Sequence, residues 1–313
     1  MAAALAFGER GVGTTDKNPP VGCIIVKNGK VVGRGFTQPG GRPHAEAMAL
    51  QQAGAAAAGS SVYVSLEPCA HISERGSACT ALVIAAKPAE VIVAIEDPDP
   101  RTKGKGIEAL RQAGLNVATG VMAAEARAAL DGFLSRIERG RPFVTLKLAT
   151  SLDGAIAMAN GSSRWITGEQ ARVHAHIERA RNDAILVGSG TVQTDKPKLD
   201  VRLDGLEYRS PRRVMLGSGD APVGWETIRS PSEIEKLDCN SLLVEGGAAT
   251  AASFLRAGLV DRLLLYRAPI MIGGGTPCIG DIGLTELNDA HGRWRLTDTR
   301  QLGNDQVEVY AKN

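Results

Sequence analysis

Four residues in the first half of the chain have the types and order needed to activate water: His44, Glu46, Cys69 and Cys79. They sit in Pro43-His44-Ala45-Glu46, Glu67-Pro68-Cys69-Ala70-His71 and Gly76-Ser77-Ala78-Cys79. One imidazole and two thiolates suit Zn²⁺, and three protein ligands leave a fourth position for water, which is the catalytic rather than the structural arrangement. Zinc lowers the pKa of a bound water toward ~7, so hydroxide forms at neutral pH. Glu46 follows His44 by two residues, about 200° around a helix, so the pair should not ligate one ion. Glu46 is better placed beside the bound water as a proton shuttle. Cys69 is expected to end a strand, and Cys79 to open a helix whose N–H groups favour a thiolate. Taken singly, the cysteines read as small buried hydrophobes and the histidine as a surface residue. Their conjunction points to a metal.

Such side chains need a scaffold, and the sequence offers alternating strand and helix signals. Residues 21–26 and 30–36 are apolar, β-rich runs joined by Lys27-Asn28-Gly29, a hairpin signal. A helix is expected over 44–53 with Pro43 at its entry, then a buried strand over 62–66 and a helix from Cys79. A strand over 90–95 and helices over 106–113 and 123–139 follow. Gly140-Arg141-Pro142 marks a domain boundary, giving domains 1–140 and 143–313. Beyond it, strands are expected at 143–148, 184–187, 213–216, 241–244 and 262–266, with helices at 168–181 and 249–257. Strands alternating with helices specify an α/β fold. Residues 203–240 carry the weakest pattern.

The chain has 313 residues, with 36 Lys+Arg against 34 Asp+Glu. That near-balance argues against a strongly basic nucleic-acid binder. With 43% hydrophobic and 22% charged residues, the composition is that of a soluble globular protein. Apolar runs are too short to cross a bilayer, and the first residues lack a basic leader, so a cytoplasmic enzyme is expected. Five scattered cysteines do not form a disulfide framework, and Cys239 and Cys278 are expected to be structural.

The order His-x-Glu, Pro-Cys, Cys is the signature of the zinc-dependent nucleobase deaminases. Here nine residues separate Cys69 from Cys79, where two are usual. With that longer loop the chain resembles the bifunctional riboflavin-biosynthesis deaminase/reductase family, RibD. Matching stretches include Asn18-Pro19-Pro20-Val21-Gly22-Cys23, Leu66-Glu67-Pro68-Cys69-Ala70-His71 and Asp97-Pro98-Asp99-Pro100. Others are Thr145-Leu146-Lys147, Ser151-Leu152-Asp153-Gly154, Trp165-Ile166-Thr167, Gly190-Thr191-Val192 and Val244-Glu245-Gly246-Gly247. The resemblance implies a cytidine-deaminase-like N-terminal domain and a dihydrofolate-reductase-like C-terminal domain. It implies two successive reactions. The first removes the 2-amino group of a diaminopyrimidinone carrying a ribosylamino 5′-phosphate, and the second reduces the ribosyl group to ribityl with NADPH. It further implies that His44, Cys69 and Cys79 bind zinc, that Glu46 moves protons, and that Asn18, His71 and Arg75 contact substrate.

No Gly-x-Gly-x-x-Gly follows a strand in the second half, so a standard dinucleotide fingerprint is missing. Instead Leu242-Leu243-Val244 meets Glu245-Gly246-Gly247, and a helix follows. Two glycines allow close backbone approach and a helix N-terminus offers N–H groups to phosphate, although the same pattern is also an ordinary tight turn. The resemblance implies that Ala149, Trp165, Thr191, Asp195, Gly247, Ala248, Ala249, Thr250, Ala251, Ala252 and Ser253 line the NADPH site. It places Lys147, Ser163, Arg179, Leu199, Arg202 and Glu245 around the ribose phosphate, where Arg forks match phosphate oxygens. His174 and His176 read as surface residues. The 211–240 stretch is shorter than the family's and lacks a strand and helix that commonly help to cover the cofactor. Arg212, Arg213 and Arg229 are the nearby candidates for an adenosine 2′-phosphate. A competing reading is a nucleoside or RNA deaminase whose second half is only a binding module. A basic patch with interleaved aromatics, as RNA would need, is missing. The expected partner is a small phosphorylated pyrimidine, with no nucleic acid and no membrane, and a homo-oligomer is left open.

Overall fold

Asn28 and Gly29 take the left-handed backbone that a tight hairpin requires, with φ of 49° and 71°. They join β1 (Gly22–Lys27) to β2 (Lys30–Phe36) as antiparallel neighbours. The computed structural model describes residues 1–71 and 76–313, which fall into two compact units, Met1–Gly140 and Arg141–Asn313. Arg75 lies outside the described residues. Among those described, no helix is long and apolar enough to cross a membrane.

In the first unit, β1 and β2 are joined by β3 (Ser61–Val64), β4 (Glu90–Val93) and β5 (Asn116–Thr119) in the order β2-β1-β3-β4-β5. The helices are α1 (Ala2–Gly8), α2 (Ala45–Ala53), α3 (Cys79–Ala86), α4 (Lys105–Gln112), α5 (Ala123–Ala129) and α6 (Asp131–Arg139). Ile25, Val62, Val64, Val91 and Val93 form the buried centre of the sheet. Helix α2 lies hard against β2 because Gly35 has no side chain: a Cβ there would fall 2.1 Å from the Ala45 carbonyl oxygen. The single helix expected over 123–139 is two, divided at Leu130, whose ψ of 14° leaves the helical region. Helix α1 and strand β5 escape the sequence pattern, β5 because its residues are largely exposed and do not alternate.

The second unit holds an eight-stranded sheet. Its strands are β6 (Phe143–Thr150), β8 (Ala184–Gly188), β9 (Arg212–Leu216), β10 (Glu226–Ile228), β11 (Ser241–Val244), β12 (Arg262–Arg267), β14 (Trp294–Leu302) and β15 (Asp305–Lys312). The order is β10-β9-β8-β11-β6-β12-β15-β14, and β7 (Ala155–Ala157) pairs separately with β13 (Thr276–Pro277). The first six strands of that order are parallel. Parallel strands are covered on both faces, which explains the continuous apolar runs of β8 and β11. Helices α7 (Glu169–Ala180), α8 (Ser189–Asp195) and α9 (Ala248–Arg256) connect them. The weakly patterned 203–240 stretch supplies β9, β10 and a 3-10 turn over Pro231–Lys236. The β14–β15 hairpin was not legible, since β14 is mostly exposed.

Candidate active sites

His44 is the N-cap of α2, with extended backbone, and Glu46 lies in the first turn. His44 therefore lies outside the helix, and the 200° separation expected of a helical pair does not hold between it and Glu46. Both side chains line one cleft of about 280 Å³. Cys69 does not end a strand: β3 stops at Val64, and Cys69 lies in the following loop. That loop is tied to the start of α3, where the Thr80 N–H and hydroxyl both donate to the Cys69 carbonyl at 3.2 and 3.1 Å. Cys79 opens α3 as expected, and its N–H donates to Cys69 Sγ at 3.2 Å. His44 Nδ1 is 3.3 Å from Cys79 Sγ and 3.6 Å from Cys69 Sγ. All three donor atoms lie within 4.8 Å of one another, and no other such group occurs among the described residues. One imidazole and two thiols at this spacing fit a zinc ion.

The electrostatics agree with a cation here. Hydrogen bonding from the Cys79 thiol, then from His44 and the Cys79 N–H, draws the Cys69 pKa far below the usual thiol value against the effect of burial. Cys79 is pushed up by the neighbouring Cys69 sulfur and by burial. A divalent ion held between the two sulfurs would displace their protons. Glu46 is 3% exposed, and burial raises its carboxyl pKa while His44 opposes the shift.

Asn18 and His71 line the same cleft. Asn18 donates to the Thr15 carbonyl at 3.2 Å, and Gly41, at φ 82°, leaves it room: a Cβ there would fall 1.9 Å from Asn18 Nδ2. His71 Nδ1 is 3.4 Å from Thr102 Oγ1. Sequence reasoning missed Glu67. Its buried carboxylate accepts backbone N–H bonds from Asp97, Gly104, Gly106 and Ile107 at 2.8–3.0 Å, fastening the loop before α4 to the Cys69 loop. A charge between Leu66 and Pro68 in an otherwise buried run was the available signal. Asp97, Asp99 and Arg101 also line the cleft, and burial raises the Asp97 pKa to about 6.

In the second unit, Lys147 and Ala149 lie on one face of β6, and Glu245 follows β11, the neighbour of β6. Glu245 Oε2 is 3.9 Å from Lys147 Nζ. Arg179 grips the same carboxylate and donates to the Asp200 carbonyl at 3.1 Å. Its fork is therefore engaged by protein acceptors. The Leu199 side chain is 5% exposed and packs with Ile185, Val187, Val192 and Met215, so its backbone is the part able to meet a ligand. Arg202 and Ser163 are exposed, as is Trp165 with Arg172 over its ring at 4.9 Å. Asp195 is exposed at the end of α8 and Thr191 is half-buried in its first turn.

The Gly-Gly cradle is narrower than the sequence suggested. A Cβ at Gly246 would fall 2.5 Å from Thr250 Cβ, so this glycine serves helix packing, whereas Gly247 faces open space. Gly247 caps α9, leaving the amides of Ala248, Ala249 and Thr250 at the helix N-terminus. Ala251 belongs to the core and its N–H is bonded to the Gly247 carbonyl. Ala252 is likewise buried, and Ser253 donates to the Thr250 carbonyl at 2.8 Å. His174 and His176 are half-buried rather than free on the surface, His174 Nδ1 lying 2.7 Å from the Tyr266 hydroxyl.

Residues 1–95 match the family model of the cytidine and deoxycytidylate deaminase zinc-binding region, and residues 142–222 and 232–307 match the RibD C-terminal domain. The riboflavin biosynthesis protein RibD of Escherichia coli K12 is 38% identical, with 97% of this chain and 96% of that protein covered. The chain belongs to the RibD family. The Acinetobacter baumannii RibD structure superposes with a TM-score of 0.90 at 33% identity, covering 100% of this chain and 97% of that one. A Thermotoga maritima diaminohydroxyphosphoribosylaminopyrimidine deaminase/5-amino-6-(5-phosphoribosylamino)uracil reductase gives a TM-score of 0.90 at 29% identity, with 100% and 97% covered. The chain is accordingly a bifunctional riboflavin-biosynthesis enzyme, a zinc-dependent deaminase followed by a reductase that takes a nicotinamide cofactor. The match of the second half to the RibD C-terminal domain sets aside its reading as a mere binding module.

Proposed function

We propose that the first unit deaminates 2,5-diamino-6-(5-phosphoribosylamino)pyrimidin-4(3H)-one. The second unit then reduces the resulting 5-amino-6-(5-phosphoribosylamino)uracil to its ribityl form with NADPH. The observation that carries the first step is the convergence of His44, Cys69 and Cys79 beside a buried Glu46 in one cleft. His44, Cys69 and Cys79 would hold zinc, which supplies an activated water at neutral pH. Glu46 would take a proton from the water and deliver it to the ring nitrogen, then take the proton of the new C–OH as that carbon becomes a carbonyl and deliver it to the amino group, which leaves as ammonia. Its raised pKa suits a group that must hold a proton during the reaction. Asn18 and His71 orient the ring, and the family resemblance adds Arg75 as a further substrate contact.

In the second unit, Gly247 and the free amides of Ala248, Ala249 and Thr250 receive the cofactor pyrophosphate, with Thr191, Asp195, Ala149 and Trp165 around it. Lys147, held beside Glu245, faces the ribose, and Arg202 with Ser163 receives the phosphate. The test separates the two chemistries in the full-length protein. Glu46→Gln should abolish ammonia release yet still oxidise NADPH when given the deaminated intermediate. Lys147→Ala should release ammonia at the normal rate and fail in reduction. Loss of both activities in either folded variant would overturn the two-site reading.

A further inference from the structure

The loop from Lys196 to Arg202 is held in an unusual backbone. Lys196 and Leu199, neither of them glycine, have φ of 44° and 54°, a left-handed region that a branched side chain rarely enters. Such a loop persists only where its surroundings over-determine it. Four contacts do so here. The Leu199 side chain is buried in a small apolar cluster, and the Val201 N–H donates to Ser210 Oγ at 2.9 Å. The other two come from one face of α7, at positions three apart: Arg179 donates to the Asp200 carbonyl, and His176 Nδ1 accepts the Arg202 N–H at 3.3 Å. An imidazole accepting at Nδ1 carries its proton on Nε2, so the 3.4 Å approach of Arg202 Nη2 to that atom is a contact between two donors and adds no hydrogen bond. Burial and then the charges of Arg179 and Arg202 lower the pKa of the ring, with Glu245 and a hydrogen bond to the Asp200 backbone opposing.

We propose that His176 is a positioning residue of the reductase, whose Nδ1 fixes the backbone from which the Arg202 guanidinium reaches the ribose phosphate. His176 does not touch the reacting atoms. It acts through Arg202, and so sets how tightly the phosphorylated end is held rather than how fast hydride moves. The inference rests on the reading of Arg202 as a phosphate contact.

The experiment follows reduction of 5-amino-6-(5-phosphoribosylamino)uracil by NADPH in full-length His176→Asn, His176→Gln, His176→Leu and Arg202→Ala proteins. Ammonia release from the diaminopyrimidinone is recorded in each as a control on the first unit. Asparagine places a carbonyl oxygen where Nδ1 stands, whereas glutamine carries its oxygen one bond further out. His176→Leu and His176→Gln should raise KM about tenfold with kcat nearly unchanged, as for a lost neutral hydrogen bond, and His176→Asn should restore most of it. Equal KM values for Asn and Gln, or a fall in kcat at unchanged KM, would overturn the proposal. If His176→Leu fails to fold, the Asn–Gln comparison alone decides. An unchanged KM in Arg202→Ala would instead refute the phosphate reading on which the proposal stands.

Discussion

Arg179 and Glu245 meet fork to fork, with Nε 2.8 Å from Oε1 and Nη2 2.8 Å from Oε2. Burial alone would raise the Glu245 pKa, but the Lys147 charge and the Arg179 fork outweigh it and hold the carboxyl at about 2. The pair crosses from α7 to the end of β11 and so fixes the wall against which Lys147 rests. Removing one member strands a buried charge, which typically costs ~3–5 kcal/mol. Arg179→Ala should therefore lower the thermal midpoint of the second unit and impair reduction while ammonia release persists. An undiminished midpoint would show that the pair contributes nothing net.

The same pair sets a pH dependence. Because Glu245 titrates lower in the folded state than its ordinary 4.5, its stabilisation is complete above that value. It is lost as pH falls from about 4.5 toward 2. The urea midpoint of Glu245→Gln should thus lie well below wild type at pH 7, and the gap should close as pH falls through that window. A gap independent of pH would mean that Glu245 acts through shape and hydrogen bonding, not charge.

Zinc content tests the metal site without relying on turnover. The purified protein should hold about one zinc per chain in a three-ligand site. Cys69→Ala should lose it, whereas Glu46→Gln should keep it and lose deamination by about 10²–10⁴-fold. Zinc retained in Cys69→Ala would sink the ligand assignment. Zinc lost in Glu46→Gln would make Glu46 a ligand.

The metal site was legible because its chemistry is written in residue types: few sequences place His, Glu and two Cys in this order by accident. The central strands were legible for a different reason, since β8 and β11 are buried on both faces and read as unbroken apolar runs. What stayed hidden was held by contacts distant in sequence. Glu67 bonds to amides 30–40 residues away, and no local pattern announces such a partner. Arg179 has Glu245, 66 residues on, in its fork, a partner no local pattern announces. His176 reads as an exposed helix residue, but the Arg202 N–H, 26 residues on, bonds its ring. Strand β14 was lost because an exposed edge strand has no buried face to give it a period of two.

Cofactor choice turns on the arginines of the shortened segment. Arg212 is engaged by Glu226 at 2.6 Å and by the Asp238 carbonyl at 2.9 Å. Arg213 has a buried Nε with no hydrogen-bond partner, which leaves it the better candidate for an adenosine 2′-phosphate. A charge-assisted hydrogen bond is worth ~1.5–3 kcal/mol, or about tenfold and more in affinity. Arg213→Ala should raise the KM for NADPH by that factor and leave the KM for NADH unchanged. Equal effects on both cofactors would remove Arg213 from the 2′-phosphate site.

Glu67 is the residue on which the two halves of the deaminase cleft depend. Its two oxygens take four backbone N–H groups, which brings the 97–107 segment against the loop carrying Cys69. Glu67→Ala leaves those donors buried without an acceptor, at ~1–3 kcal/mol each before relaxation. That is enough to unfold a marginal domain, so the alanine variant by itself would say little about the site. Glu67→Gln is the sharper test. Its amide keeps the shape and one oxygen, but its NH₂ opposes two of the four N–H groups. The first unit should then remain folded with a lower melting temperature, weaker zinc retention against a chelator, and a raised KM for the diaminopyrimidinone. Reduction of the deaminated intermediate should proceed at the wild-type rate, because every residue proposed for reduction belongs to the second unit. A glutamine variant with normal zinc retention and normal KM would show that the four bonds hold the fold alone and leave the cleft untouched.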